Sequence, residues 1–221
     1  WTTNDLLKGI IITGKGRHFS AGANQNKVLT ITDEKQIESD VRKCKAIIEY
    51  LDNLTIPTVA AIQGVCFGGG LEVALACHIR IASDKSLFCF PESGLGVLPL
   101  SAAAILVKKM GMCQMLELIL ASKMLSAEEA LNLKIVDCVV PSKEVVKSAI
   151  EILGKIIAER SMQVIRSAVR SFNVARKSPH EIATEEECRL VGKLVLAAIK
   201  YRQENKIDSK PPTMTRQTSE T

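Results

Sequence analysis

Two glutamates, Glu72 and Glu92, stand twenty positions apart, each on an apolar stretch and each close in the chain to a glycine-lined turn. Glu72 sits in "LEVALAC" (71–77), and Glu92 follows "LFCFP" (87–91). Paired carboxylates on apolar elements suit acid/base work, because burial raises a carboxyl towards the range where it both gives and takes a proton. Beside Glu72 runs "GVCFGGGLE" (64–72), and a second turn of small residues, "GRHFSAGAN", occupies 16–24. Such turns let backbone N–H groups approach a ligand with no side chain in the way. One N–H from each, aimed at the same oxygen, would stabilise a carbonyl that gains charge during reaction. Gly69 and Gly70 open the helix that carries Glu72, and its dipole adds to that attraction.

Each feature also has a plainer reading. Three glycines permit close helix–strand packing, a first-turn Glu complements a helix dipole, and Glu92 can be a solvated loop residue. His18 reads as a surface or packing residue and His78 as a cation ending a helix. Ser20 lacks the G-x-S-x-G elbow of a hydrolase nucleophile. No Lys-Ser or Lys-Thr pair follows the glycine run, and "GVCFGGG" is not G-x-G-x-x-G, which argues against a nucleotide fold. With His only at 18, 78 and 180 and no C-x-x-C, no cluster has metal-ligand spacing, and no metal is expected.

The elements that must position these residues follow from hydrophobic periodicity. "KGIIITGKG" (8–16) reads as a buried strand, and "TVAAIQG" (58–64) as a second. Between them, 31–54 reads as an amphipathic helix with Ile37, Val41, Cys44, Ile47, Ile48 and Leu51 on one face. A helix through Cys77 leads to a strand at 79–84 and an extended piece at 87–92. After Pro99 the chain reads as mostly helical, with a Ser126/Glu129 capping box, a last strand at 134–140, and helices at 143–159, 162–176 and 179–201. Strands alternating with helices, then helices alone, predict an α/β layer with parallel pairing and a helical appendage.

At 221 residues the chain is long enough for one full core with such an appendage. Its 47% hydrophobic and 24% charged residues exclude a disordered chain, and 4% aromatics leave the core to Ile, Leu, Val and Ala. A net charge of +5, spread along the sequence, favours a small anionic ligand over nucleic acid. Seven scattered cysteines, mostly in apolar runs, read as buried free thiols of a reducing intracellular compartment, cytoplasm or an organelle matrix. No apolar run reaches membrane-spanning length. The start at Trp1 points to a fragment or a trimmed chain, and residues 207–221 to a disordered tail.

Taken together, these segments resemble the crotonase, or enoyl-CoA hydratase/isomerase, superfamily. "IIITGKGRHFSAGAN" is similar to its first N–H turn, "PTVAAIQGVCFGGGLEVALACHIRIAS" to its second, "FPESGLGVLP" to its second-acid segment, and "MLSAEEALNLKIVDCVVP" to the stretch after it. The match runs from about Lys8 to Arg176. The resemblance implies a crotonase-like spiral of ββα units at 1–141, short of the family's N-terminal part, and a helical region at 142–206. It implies an acyl-CoA thioester substrate, with coenzyme A as part of that substrate rather than a cofactor, and a homotrimer or hexamer. Carried over by position, Ala23 and Gly69 form the oxyanion hole; Ala21, Gly22, Gly68 and Gly70 bind substrate; Glu72 and Glu92 are catalytic. Two glutamates imply hydration of a 2-enoyl-CoA, since isomerases of the family typically manage with one carboxylate. Double-bond isomerase, or a non-catalytic acyl-CoA-binding or oligomerisation module, is the alternative. Asn24 and His78 stand where the family usually has Asp, and "PLSAAAILVKKMG" (99–111) replaces a glycine-rich stretch.

Overall fold

The computed structural model describes residues 6–24, 32–100, 102, 106 and 111–205. In chain order the elements are β1 (Ile10–Thr13), α1 (Glu34–Asp52), β2 (Thr58–Ile62), β3 (Val65–Phe67), α2 (Gly69–Ala76), β4 (Ile79–Ser83), β5 (Leu87–Cys89), α3 (Met112–Ile119), β6 (Leu125–Ser126), α4 (Ala127–Asn132), β7 (Cys138–Val140), α5 (Val145–Ile157), α6 (Met162–Lys177) and α7 (His180–Glu204). Glu92–Leu95 and Ser142–Glu144 are 3-10 turns. The predicted tail and most of the 99–111 segment lie outside the described residues.

The expected parallel layer is present as a four-stranded sheet in the order β1-β2-β4-β7, every pair parallel. Its strands are short and rich in small and β-branched residues, as strands covered on both faces must be. Alternation in β2 divides the core: Val59 and Ala61 meet Val145, Ala149 and Leu153 of α5, while Ala60 and Ile62 join the cluster containing Leu71, Ala74 and Leu75 of α2. A second, three-stranded sheet has the order β3-β5-β6, with β3 parallel and β6 antiparallel to β5.

Several expectations change in detail. The strand expected over 58–64 ends at Ile62, and Val65–Phe67 is a strand of the second sheet rather than part of a turn. Helix α1 buries only Ile48 and Leu51 of the predicted face; Ile37, Val41 and Ile47 are exposed. Of the cysteines, 66, 77 and 89 are buried, 138 is half-buried, and 44, 113 and 188 are exposed, all as free thiols. The capping box forms as expected, with Ser126 and Glu129 exchanging bonds at the start of α4.

His78 is not a helix-ending cation. Its Nδ1 accepts the Thr58 backbone N–H at 3.1 Å and lies 2.7 Å from Thr58 Oγ1, while the His78 backbone N–H donates to Thr58 Oγ1 at 2.9 Å. A nitrogen that accepts from a backbone N–H carries no proton, so the ring pins the start of β4 to the start of β2. Next along, the buried Arg80 donates to Cys77 O, Ile135 O and Asp137 Oδ1, at 2.7, 2.7 and 2.8 Å. One guanidinium thereby joins the end of α2 to the chain entering β7.

By contacts the backbone divides into two compact units, one ending at Arg170 and one starting at Ser171. The second holds the end of α6 and all of α7, within which Arg189 grips Glu186 with two bonds of 2.6 Å.

Candidate active site

Three sequence segments meet because they lie side by side and run the same way. Ser20 forms a parallel bridge with Cys66, and β3 pairs in parallel with β5. The ladder continues past the strands: Ser20 N donates to Val65 O (3.2 Å), Phe67 N to Ser20 O (2.9 Å) and Gly68 N to Cys89 O (2.9 Å). Parallel neighbours end at the same edge, so Ala21–Ala23, Gly68–Gly70 and the chain entering Glu92 emerge together.

Glycine is required here for two different reasons. Gly68 holds φ 51°, ψ −127°, a conformation that residues with a Cβ avoid, and a Cβ there would lie 2.5 Å from Glu92 Oε1. At Gly70 the reason is packing, since a Cβ would lie 2.6 Å from Ser20 Oγ. The two turns touch: a Cβ built on Gly22 would be 3.1 Å from Phe67 O and 3.7 Å from Gly69 N.

A cavity of about 290 Å³ opens between them. Gly22, Ala23, Gly69 and Gly70 line it, with Ile12, Phe19 and Val73 as apolar walls. Gly69 is the first residue of α2, and first-turn N–H groups have no partner within their own helix. Ala21 and Gly68 flank the lining residues in the chain without lining the cavity themselves, and neither glutamate lines it.

The carboxylates stand just behind that edge. Glu72 is almost fully buried, one turn into α2; its N–H donates to Gly68 O (3.1 Å) and its Oε1 accepts the Ala102 N–H (3.0 Å). Glu92 opens its 3-10 turn half-buried rather than solvated, with its carboxylate against Gly68. Glu92 Oε2 is buried and has no hydrogen-bond partner among the described residues. Burial pushes the Glu92 carboxyl above the usual range, its own backbone N–H partly offsets this, and the charge of Glu72 raises it further. The two glutamates are therefore electrostatic neighbours.

Sequence reasoning passed over Gln63, and gave His18 and Ser20 no part in holding the first turn. Gln63 Nε2 donates to Gly14 O and Gly16 O, each at 3.0 Å, and His18 Nδ1 accepts the Val65 N–H at 3.2 Å. Ser20 Oγ accepts the Gly22 N–H at 3.2 Å. The one signal for Gln63 was a polar residue ending an otherwise apolar strand. The nearby cysteines offer no nucleophile: burial pushes the Cys77 thiol up to about 12 and raises Cys66 as well. Among the described residues, no His, Cys, Asp or Glu group is arranged to hold a metal ion. None of their helices is long and apolar enough to cross a membrane.

Known proteins share this fold. The chain is 35% identical over 170 residues to the fatty acid oxidation complex subunit alpha of Shewanella frigidimarina, a match covering 75% of this chain and 24% of that protein. The chain thus spans about a quarter of the length of that curated relative. Among solved structures, an enoyl-CoA hydratase subunit I of Geobacillus kaustophilus superposes with a TM-score of 0.82 at 28% identity, over 92% of this chain and 78% of that one. DspI of Pseudomonas aeruginosa superposes with a TM-score of 0.80 at 32% identity, over 86% and 73%. The enoyl-CoA hydratase/isomerase profile matches residues 2–200. With nearly the whole chain inside that match and its fold shared with those structures, this protein belongs to the enoyl-CoA hydratase/isomerase, or crotonase, family.

Proposed function

We propose that the chain binds an acyl-CoA thioester and adds water across the double bond of a 2-enoyl-CoA. The observation that supports this best is the shared edge: Glu92 lies against Gly68, while Gly69 and Ala23, one from each of the two turns, line one cavity. In this reading the Ala23 and Gly69 N–H groups receive the thioester oxygen, with the dipole of α2 behind Gly69. Gly22 and Gly70, which line the cavity, supply a surface that a ligand approaches without meeting a side chain, with Ala21 and Gly68 next to the lining residues in the chain.

The steps balance as follows. Glu72 takes a proton from water, and the water oxygen bonds to the β-carbon. The π electrons move to the thioester as an enolate, whose oxygen the two N–H groups hold. Glu92, whose burial favours the protonated form, gives its proton to the α-carbon, and a proton passes from Glu72 to Glu92 before the next turnover. Coenzyme A leaves as part of the product, and no separate cofactor takes part.

One observation favours the isomerase alternative. Glu72 is buried with Oε1 engaged by Ala102 N–H, whereas Glu92 Oε2 has no partner among the described residues. A single working carboxylate suits shuttling one proton along an acyl chain. Loss of the conjugated enoyl-thioester absorbance on mixing the protein with crotonyl-CoA tests the hydratase reading. Conversion of a 3-enoyl-CoA without loss of any 2-enoyl-CoA would replace it with isomerase. Thioester binding with neither reaction would leave a binding module.

A further inference from the structure

The turn that carries Glu92 is fastened from behind by a serine in an unfavourable conformation. Ser122, between α3 and β6, holds φ 49°, in the left-handed region where a glycine would sit without strain. What serine adds there is a hydroxyl, and Ser122 Oγ lies 2.9 Å from Ser93 Oγ. Ser93 Oγ in turn donates to Leu120 O at 3.1 Å. Each hydroxyl has one proton, so with Ser93 committed to Leu120 O, Ser122 is the donor between the serines. The Cys89 thiol donates to Ser122 O at 3.3 Å. Residues 89 and 93, which bracket Glu92, are therefore both bonded to the 120–122 turn, while Cys89 O holds Gly68 N from the other side.

We infer that Ser122 and Ser93 are positioning residues, whose paired hydroxyls set where the Glu92 carboxylate stands against Gly68. The left-handed backbone at Ser122 also ends α3, since it lets the Lys123 N–H close on Glu117 O at 3.0 Å, so the hydroxyl pair and the Cys89 thiol bond are the contacts that reach the Glu92 turn. Among the described residues, the titratable groups facing Glu92 are the Glu72 carboxylate and the Cys89 thiol. The 120–122 side contributes neutral hydroxyls, and Lys123 next to it pairs with Glu117 at 3.4 Å. A change at Ser122 therefore reaches Glu92 through geometry and water access, not through charge.

The consequence for turnover rests on Glu92 being the acid, whereas the placement itself does not. Ser122→Gly removes the hydroxyl and the strain together, and Ser93→Ala removes the partner. Carbon-13 titration of glutamate carboxyls in the full chain, with Glu92→Gln to assign the signal, reads the placement without any reaction. In both variants the Glu92 midpoint falls by about half a unit or more, because a looser turn admits water. Ser93→Thr, which keeps the hydroxyl, retains the parent midpoint. Ser122→Gly melts within about 2 °C of the parent, yet its kcat falls about tenfold with KM within about twofold. A parent-like midpoint in Ser122→Gly and Ser93→Ala overturns the inference, and either variant alone suffices if the other does not fold. Full activity in Glu92→Gln sinks the acid role instead, and the midpoints still decide the positioning.

Discussion

At the scale of single residues, Glu92 carries a cost that its function would explain. Its carboxyl is half-buried, one oxygen lacks a partner among the described residues, and a second carboxylate lies nearby. The folded-state pKa stands above the unfolded one, so the native state favours the protonated form. Stability linked to Glu92 is then fully present below the ordinary carboxylate range and is lost as pH rises through the folded pKa. Glu92→Gln should therefore raise the melting temperature at about pH 8 and do so less at about pH 4. The same variant should lower kcat by about 10²–10⁴-fold, with KM changed less than about threefold, in steady-state assays. Glu72→Gln keeps an oxygen for the Ala102 N–H but removes the charge that raises Glu92. Carbon-13 titration should then show the Glu92 midpoint lowered, and kcat should fall with it. Unchanged turnover in both variants would remove the pair from the chemistry.

At the scale of elements, the site depends on three short segments staying in register. Ser20, β3 and β5 are held by a short parallel ladder of a few backbone bonds, and Gly70 lets Ser20 close against α2. Gly70→Ala should cost about 1–3 kcal/mol by urea denaturation, since a methyl group must displace backbone and side chain in a packed place. Faster hydrogen exchange at the Ser20 and Phe67 amides would locate the damage, and unchanged exchange would place it elsewhere. These small elements were also the hardest to read. β3 spans Val65–Phe67 and β6 only Leu125–Ser126, so neither is long enough to show a period. Each is a strand because a neighbour pairs with it. The central strand β2 and the helix α5 were legible, because burial on both faces and one buried stripe write themselves into residue order.

At the scale of the whole molecule, α7 exposes Val191, Val195, Leu196 and Ile199. Apolar side chains grouped on one helix invite a partner, and the homotrimer or hexamer that the family resemblance implies is the mass expected from light scattering. Val195→Glu should shift that mass downward, while a monomer in the parent chain would end the expectation. The sequence by itself determined the α/β class and the helical C-terminal region, because these rest on periodicity and on motifs contiguous in the chain. Only the tertiary structure decided that Glu92 is half-buried against Gly68, that His78 is a hydrogen-bond acceptor for Thr58, and that Gln63 and Ser122 hold the turns. Those relations join residues far apart in the chain. Their basis is packing and hydrogen-bond direction across strands, for which residue order carries no period.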